Sequence, residues 1–473
     1  MAATIERTTG HPVEAPLTLA EPAAKALGFV DQVALWGNLG ISLLLPVAAA
    51  FVVQPFRFPA LSIAAALTAT VVGAVLGSTV LGLSAVPGAR LGVPAMVLLR
   101  GLFGRRGSAV PTVLNLLQCL GWATFEVVVI GESAARLTSE ALRPLYVVLA
   151  GVAATGMALR PLGVVRTLRK YAAWLVLAAT AYLLIAVLRE PLPSLTAGSW
   201  RGFWPAADVV VAMAVSWAPL AGDYSRHSRT GAAAFGGALV GYAAAAIAYF
   251  GLGVLALATI VGTGDDVLAS LLAVPAGAVA LAILAVDEVD EAFANVYSTA
   301  VSAQNLAPRM DRRVLAVVVG GLAVALALVA DIMAYESFLL LIGSVFVPLF
   351  AVAIVDFFLV RRGCWDVSES ARGRWRLLLP WAAGFAAYQL VNPGTVGWWS
   401  RWWTDGAHAV GFAPQAWMSA SLLSFAVAGL LTLLVGRLDP RRLSASGVTV
   451  GREGESTVSS LATVDAGDGA QRS

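Results

Sequence analysis

The sequence predicts an all-α integral membrane protein with about twelve transmembrane helices. Of its 473 residues, 59% are hydrophobic and only 12% are charged, which is roughly half the charged fraction of an ordinary soluble domain. Long apolar stretches recur along the chain, and most are long enough to cross a bilayer as a helix. Basic residues are concentrated between these stretches, mainly in every second connection.

The apolar stretches define the candidate spans in order. They lie at residues 32–54, 58–83, 109–133, 142–159, 171–188, 205–221, 232–261, 268–304, 314–331, 334–360, 377–391 and 412–436. The eleventh stretch is short, and its Trp-rich flank is typical of a membrane–water interface. That flank contains Trp398, Trp399, Trp402 and Trp403.

The distribution of Lys and Arg predicts the orientation of the spans. Connections after even-numbered spans contain 18 basic residues and those after odd-numbered spans contain 6, so the even connections and both termini are expected in the cytoplasm. His227 falls in one of these connections and is expected to be solvated. Residues 1–30 are predicted as a cytoplasmic tail, 31–437 as the transmembrane domain and 438–473 as a disordered tail. The preference for Arg over Lys is typical of GC-rich bacterial genomes, which favours a bacterial inner membrane.

Composition also excludes several function classes. Nucleic-acid binding needs a clustered basic face, and the sequence shows none. The two cysteines, Cys119 and Cys364, are too far apart in the sequence to suggest a thiolate metal site. Neither a nucleophile with a nearby base nor a His/Asp metal cluster is visible, so we expect no enzyme. We expect a monomer embedded in the lipid bilayer.

The third span contains a carboxylate within its apolar stretch. Trp122 and Glu126 are four residues apart and therefore share one helical face. A carboxylate in the hydrocarbon region is energetically costly and marks a functional candidate. An aromatic plate beside a hydrogen-bonding carboxylate suits a flat, polar, aromatic ligand, and structural packing of both side chains is the alternative.

The eighth span has a continuous polar stripe. At about 100° per residue, its polar residues fall within an arc of about 120°; they are Asp287, Glu288, Glu291, Asn295, Ser298, Thr299 and Ser302. Asp290 lies beyond one edge of this arc. The stripe is expected to face a water-filled path or polar partners. Because four buried charges together are hard to sustain, some of the four acids are expected at the outer interface.

The first and sixth spans contain helix-breaking residues. Residues 36–42 include two glycines and Asn38, and Pro219 follows residues 209–218 in the sixth span. Broken helices at matching positions of two halves indicate a midplane binding site. Spans one and six, and spans three and eight, are each five apart. This spacing favours a repeat of five plus five helices with two extra helices, over about 31–189, 203–360 and 375–437.

Four stretches make the chain similar to the nucleobase–cation symporter-1 family, which includes cytosine, allantoin and hydantoin permeases. They are residues 35–42 (LWGNLGIS), residues 87–94 (PGARLGVP) continuing to 100–107 (RGLFGRRG), residues 120–122 (LGW), and residues 216–226 (SWAPLAGDYSR). The last is the most specific. The resemblance extends over about residues 16–440 and implies the leucine-transporter-like inverted repeat.

The resemblance also implies roles for individual residues. Trp122 and Trp217 would sandwich a planar ring, and Asn295 would hydrogen-bond it. Glu126 falls where the family often has glutamine. Because an ionised glutamate accepts hydrogen bonds but cannot donate them, donor-bearing rings such as cytosine or hydroxymethylpyrimidine are favoured over uracil or hydantoin. Two further substrate-binding candidates are Ser216 and Asn38.

The family's sodium site, carried over by position, would combine first-span carbonyls with eighth-span groups. The corresponding residues here are Gly37, Ile41, Val286, Val289 and Asp290. The hydroxyl pair of that site is missing, which leaves two alternatives. Sodium binds near Asp290 as a charged oxygen ligand, or Asp290, Glu291 or Glu126 carries a coupling proton.

The sequence therefore predicts a secondary active symporter that imports a small planar heterocycle, coupled to Na⁺ or H⁺ by alternating access. Apart from a possible Na⁺ it needs no cofactor. The alternative is a permease for an amino acid or another small solute with the same inverted-repeat fold.

Overall fold

A computed structural model describes residues 15–55, 57–167, 173–260, 267–330 and 335–437. Across these residues the regular secondary structure is helical, and the only β pairing is two isolated bridges. Seven of its helical segments are long and apolar enough to cross a membrane, and the count of twelve spans stays a prediction. The predicted disordered tail, 438–473, and residues 1–14 of the predicted N-terminal tail lie outside the described residues.

Among the described residues, the first half of the chain contains nine α-helices. They are α1 (Phe29–Asn38), α2 (Leu44–Val53), α3 (Ile63–Leu91), α4 (Ala95–Leu98), α5 (Arg100–Gly107), α6 (Ala109–Leu137), α7 (Arg143–Ala158), α8 (Pro161–Thr167) and α9 (Ala173–Leu188). The predicted first span is broken, because residues 39–43 separate α1 from α2.

The second half repeats this pattern of a broken helix followed by a long one. Its helices are α10 (Phe203–Val215), α11 (Ala218–Ser225), α12 (Gly231–Thr259), α13 (Val267–Ala273), α14 (Gly277–Asp287), α15 (Val289–Ala303), α16 (Arg312–Ala327) and α17 (Tyr335–Val355), which a π-helical turn over Asp356–Val360 extends. The predicted sixth span is broken between α10 and α11. Pro219 lies in the first turn of α11, where its missing N–H costs no helical hydrogen bond.

The prediction of one continuous eighth span over 268–304 is wrong. Three helices, α13, α14 and α15, occupy this stretch. Residues 274–276 separate the first two, and Ala276 has a φ of +52° that does not fit a right-handed helix. The second interruption falls at Glu288, in the middle of the acidic residues.

Three helices follow the repeats, namely α18 (Leu378–Val391), α19 (Gly397–Ala409) and α20 (Ala420–Arg437). The Asp208 carboxylate of α10 accepts hydrogen bonds from Ser419 Oγ at 2.5 Å, Ala420 N at 2.7 Å and Ser421 N at 3.2 Å. An acidic group at a helix N-terminus satisfies unpaired N–H groups and complements the helix dipole. Asp208 therefore ties the extra helices to the sixth span.

The helices pack into two groups. In the first bundle, α1, α2, α10 and α11 pack against α3 and α12. In the second bundle, α6 and α7 pack against α15 and α16. The breaks in the first and sixth spans belong to the first bundle, and the break at Glu288 belongs to the second. The interrupted backbones therefore face one another across the boundary between the bundles.

Close backbone contact fixes the carboxyl half of the sixth span. A Cβ atom on Gly222 would lie 2.7 Å from the backbone N and Cα of Ala95, closer than van der Waals contact permits. The neighbouring Asp223 accepts a hydrogen bond from Ala95 N at 2.9 Å. Gly222 therefore allows α11 to pack directly on the start of α4.

The expectation that His227 is solvated is wrong. The side chain is 1% exposed, because residues 15–28 of the predicted tail fold over it. Its Nδ1 forms a hydrogen bond with Ala24 O at 3.0 Å, and its backbone carbonyl accepts from Leu27 N at 2.9 Å. Burial, together with the positive charge of Arg226, lowers the pKa of His227 to about 3.

Candidate substrate and cation site

A small cavity lies at the boundary between the two bundles, beside the helix breaks. Its volume is about 10 Å³, close to the space that one water molecule needs. The residues that line it come from four helices and two breaks: Ser42, Leu44, Leu45, Trp122, Glu126, Met213, Ser216, Trp217, Glu291 and Asn295. Five of the six predicted substrate-binding residues are therefore brought together.

Two indole rings line the cavity, one from each bundle, and each is held by its own aromatic neighbours. The Trp122 ring meets Tyr335 edge-on at 5.7 Å and Phe338 at 5.3 Å between ring centroids. The Trp217 ring lies 6.4 Å from both Trp36 and Tyr242. Three of these contacts are edge-to-face and the Trp217–Tyr242 contact is tilted; such contacts fix ring orientation. The supporting aromatic residues were not predicted from the sequence.

The backbone at the sixth-span break is satisfied by a residue that sequence reasoning missed. The Gln118 side chain of α6 donates to the carbonyl oxygen of Ser216 at 2.8 Å. Gln118 precedes Trp122 and Glu126 at steps of four residues, so the three share one helical face. That spacing was the signal that would have identified it.

Buried polar atoms in the cavity wall are available for a ligand. Trp122 Nε1 has no hydrogen-bond partner among the described residues, and Glu126 Oε2 and Glu291 Oε1 receive no hydrogen bond from them. The three side chains are at most 5% exposed. Unsatisfied buried polar groups are uncommon in folded proteins and call for a functional explanation. The cavity thus offers one free donor and two free carboxylate acceptors.

All four acidic residues of the eighth span are buried, so the expectation that some lie at the outer interface is wrong. Asp287 is 5% exposed, and Glu288, Asp290 and Glu291 are at most 2% exposed. Carboxylate oxygens of Glu126, Glu288 and Glu291 lie within 4.8 Å of one another. This part of the chain packs against α6, and Glu288 and Asp290 form hydrogen bonds with the first span.

Glu288 joins the eighth span to the break in the first span. Its carboxylate accepts hydrogen bonds from Ser42 Oγ and from Leu43 N, both at 2.7 Å. Leu43 N belongs to the segment between α1 and α2, where no helical partner is available. Glu288 is therefore the acceptor for a backbone group that the helix break exposes, a role the sequence did not indicate.

Asn38 is not brought to the cavity as predicted. Its side-chain amide donates to the Asp290 carboxylate instead. Asn38 Oδ1 and Asp290 Oδ1, both buried, receive no hydrogen bond from the described residues. Asn38 therefore belongs with the predicted cation-coupling residue Asp290.

The other cation-coupling candidates, Gly37, Ile41 and Val286, were predicted to contribute backbone carbonyls, and that role stays a prediction. Val286 is 74% exposed, so its side chain faces away from the bundle. Gly37 faces Gly241 of α12, whose carbonyl oxygen would lie 3.7 Å from a Cβ at this position. Ile41 is buried in the segment between α1 and α2. Of the predicted set, Asp290 and Glu291 carry the buried carboxylates.

The fold defines the class of protein as an inverted-repeat membrane transporter, and solved structures share it. The chain is similar to Mhp1, a nucleobase-cation-symport-1 family transporter, in a closed conformation with bromovinylhydantoin bound: the TM-score is 0.67, the identity 18%, and 90% of this chain and 94% of that chain are covered. It is also similar to the inward-facing conformation of Mhp1, with a TM-score of 0.63, 18% identity and coverage of 92% and 94%. A manganese transporter from Eremococcus coleocola aligns with a TM-score of 0.57, 13% identity and coverage of 89% and 100%.

The sequence identifies the family. A family model described as "Permease for cytosine/purines, uracil, thiamine, allantoin" matches residues 33–374, and the chain belongs to this family. The predicted family, fold class and transport function are confirmed. Its relatives are transporters, in agreement with the expectation that the chain is not an enzyme. Among curated protein sequences, none matches the chain.

Proposed function

We propose that this permease imports a small planar heterocycle that carries amino or ring N–H donors, with cytosine and hydroxymethylpyrimidine as the model substrates. The central observation is the pair of unpartnered polar groups, Trp122 Nε1 and Glu126 Oε2, in a cavity that also contains Trp217. A ring with a donor beside an acceptor satisfies both groups at once. The indole rings supply flat apolar surface for stacking.

Charge in the cavity also favours such a substrate. Among the described residues that line it, two are acidic and none is basic. A free amino acid would bring its own carboxylate close to Glu126 and Glu291, where like charges repel. A neutral ring with donors, or a ring that carries a positive charge, is stabilised by the same acids.

We propose a proton as the coupling ion, held by Glu126, Glu288 and Glu291. Three carboxylates whose oxygens lie within 4.8 Å of one another repel strongly when all are ionised, and a shared proton removes that repulsion. Protonation of the group also changes the acceptors available to the substrate. This gives a direct link between ion and substrate occupancy.

Sodium near Asp290 is the second candidate, supported by a separate observation. Asp290 Oδ1 and Asn38 Oδ1 are buried oxygens that receive no hydrogen bond from the described residues, and hard cations favour oxygen ligands. Because Asn38 ends α1, an ion there would act on the first-span break.

Uptake into proteoliposomes under imposed gradients tests the proposal. We expect labelled cytosine or hydroxymethylpyrimidine to accumulate under an inward proton gradient in sodium-free buffer. Accumulation only under a sodium gradient would refute the proton as the coupling ion and favour sodium instead. Accumulation of L-phenylalanine, without uptake of any heterocycle, would refute the proposed substrate class.

We further propose that the protein lies in the bacterial inner membrane with both termini in the cytoplasm. The 18 to 6 distribution of basic residues supports this orientation. Labelling of single cysteines introduced at Arg229 and Arg201, on opposite sides in this arrangement, tests it with a membrane-impermeant reagent applied to intact cells.

A further inference from the structure

A second and much larger cavity lies on the side of the molecule that the proposed orientation places in the cytoplasm. Its volume is about 1030 Å³, at the upper end of the range for small-molecule sites. The residues around it come from the N-terminal segment, the α3–α4 connection, α5, the end of the sixth span and the connections at 307–310 and 367–369. It is separate from the central cavity and shares no lining residue with it.

The lining of this cavity is strongly basic. Five basic side chains contribute to it, namely Lys25, Arg100, Arg105, Arg226 and Arg309, against the acidic side chains of Glu21 and Glu369. A concave surface with one sign of charge concentrates ligands of the opposite sign.

Two of these basic residues are buried and held in fixed positions. Arg100 is 4% exposed and its Nε donates to Asn305 Oδ1 at 2.7 Å. Arg226 is 3% exposed and its Nη2 donates to the Tyr297 hydroxyl at 3.0 Å. Burial and the nearby charge of Arg105 lower the pKa of Arg100, so its positive charge lies in an unfavourable environment that an anion would relieve.

An excess of basic residues on the cytoplasmic side is expected from topology alone. Topology does not require these residues to converge on one cavity, however. Arg313 shows the ordinary case, because it is exposed at the start of α16 and does not line the cavity. Lys25, Arg105 and Arg309 come from three separate segments and nevertheless line the same space.

We propose that this cavity binds a small soluble anion that carries a phosphate group, of the size of a nucleoside monophosphate. Arginine and lysine side chains bind phosphate through charge-assisted hydrogen bonds. A ligand there would contact the N-terminal segment, the sixth span of the first bundle and the α15–α16 connection of the second bundle. It would hold the two bundles together on this side. This consequence rests on the proposed transport function: the phosphorylated form of an imported ring would bind here and reduce further uptake.

Binding to the purified full-length protein tests the proposal without any transport assay. In nanodiscs of phosphatidylcholine, we expect cytidine 5′-monophosphate and inorganic phosphate to raise the melting temperature in a saturable manner. Cytidine at the same concentration, and sodium chloride at the same ionic strength, serve as controls. Equal stabilisation by sodium chloride would mean general screening and would overturn the proposal.

Substitutions on the rim of the cavity locate the site. The variant Lys25→Gln/Arg105→Gln/Arg309→Gln retains both buried arginines and is expected to weaken cytidine monophosphate binding at least tenfold. Arg313→Gln is the matched control, since it removes a neighbouring cytoplasmic charge outside the cavity, and it is expected to bind like the wild type. Equal weakening in the two variants, or in neither, would refute this site.

A lipid headgroup is the other source of a phosphate group. If nanodiscs that contain phosphatidylglycerol stabilise the protein, and cytidine monophosphate has no effect in phosphatidylcholine, the proposal of a soluble ligand is refuted. Failure of uptake with every heterocycle would instead refute the proposed transport function and leave the binding result intact.

Discussion

Glu126 gives the sharpest test of how this permease selects its substrate. The substitution Glu126→Gln keeps the shape of the side chain, replaces an acceptor-only group by an amide that also donates, and removes one of three neighbouring carboxylates. Glu126 Oε2 is buried and receives no hydrogen bond from the described residues, so a donor on the substrate is the partner we propose for it.

The size of the effect follows from the type of hydrogen bond. A hydrogen bond to a charged group contributes about 1.5–3 kcal/mol, and about 1.4 kcal/mol corresponds to a tenfold change in affinity. We therefore expect Glu126→Gln to weaken cytosine binding by about 10- to 150-fold. Uracil presents a carbonyl where cytosine presents an amino group, so its binding is expected to strengthen or stay constant.

Equilibrium binding of both rings to the purified protein gives the ratio of the two affinities. The control is Glu132→Gln, the same substitution on the same helix at a half-buried residue paired with Arg143 at 3.4 Å, away from the cavity. The melting temperature of Glu126→Gln should not fall, because the change relieves repulsion with Glu288 and Glu291. If cytosine and uracil lose affinity by the same factor, or the control reproduces the change, Glu126 does not contact the ring and the substrate assignment is refuted.

Three further predictions concern stability, each measured by thermal unfolding in detergent. Asp208→Ala removes the acceptor at the amino end of α20 and should cost about 1–3 kcal/mol; an unchanged melting temperature would show that this cap is dispensable. Gly222→Ala places a methyl group against the α4 backbone and should cost about 1–3 kcal/mol, whereas Gly321→Ala, where no atom lies within 4 Å, should be neutral or stabilising. The pKa of His227 in the folded state is about 3, whereas the ordinary pKa of a histidine, as in the unfolded state, is about 6.5. Below pH 6.5 the unfolded state therefore binds more protons than the folded state. The contribution of His227 to the free energy of unfolding is fully present above that pH and is lost as the pH is lowered. At pH 5 the loss is roughly 2 kcal/mol; His227→Gln should abolish it and the exposed His408→Gln should retain it.

The sequence predicted the membrane fold, and it predicted most of the residues that the structure brings together in the candidate site, because both depend on patterns along single helices. Apolar stretches of sufficient length can form little else in a bilayer. Trp122 and Glu126 share a face by spacing alone, and the breaks in the first and sixth spans follow from glycine and proline. These features need no knowledge of which helices are neighbours.

Contacts between distant segments were not predictable in the same way. Glu288 appeared as one acid in a polar stripe, whereas its partners Ser42 and Leu43 lie about 245 residues earlier in the chain. Nothing in the local pattern indicates that the backbone N–H of Leu43, in the first-span break, donates to the carboxylate of Glu288 in the eighth span. Glu288 and Asp290 are stabilised in their buried positions by such partners, and these contacts are not visible in the local pattern from which some of the acids were placed at the outer interface.

His227 illustrates the same limit on the cytoplasmic side. A histidine after a span and between two arginines is ordinarily solvated, and composition predicted the N-terminal residues as a tail. The structure instead places residues 15–28 over this histidine. A segment that lacks apolar periodicity gives no local signal of where it packs, so only the folded chain reveals that it forms part of the wall of the large basic cavity.

The arrangement of carboxylates explains how ion and substrate occupancy can be coupled in the proposed mechanism. Glu288 holds the first-span break through Ser42 and Leu43, and Asp290 holds the end of α1 through Asn38. Glu126 and Glu291 line the substrate cavity, and both lie within 4.8 Å of Glu288 through their carboxylate oxygens. A positive charge added to this group lowers the electrostatic cost of every carboxylate in it. It also changes the strength of the hydrogen bonds that Ser42 and Leu43 donate to Glu288. Thermodynamic linkage then requires that the substrate alter ion affinity by the same factor by which the ion alters substrate affinity. Binding of cytosine should therefore shift with pH, and a net change in the number of bound protons should accompany ligand binding in weakly buffered solution.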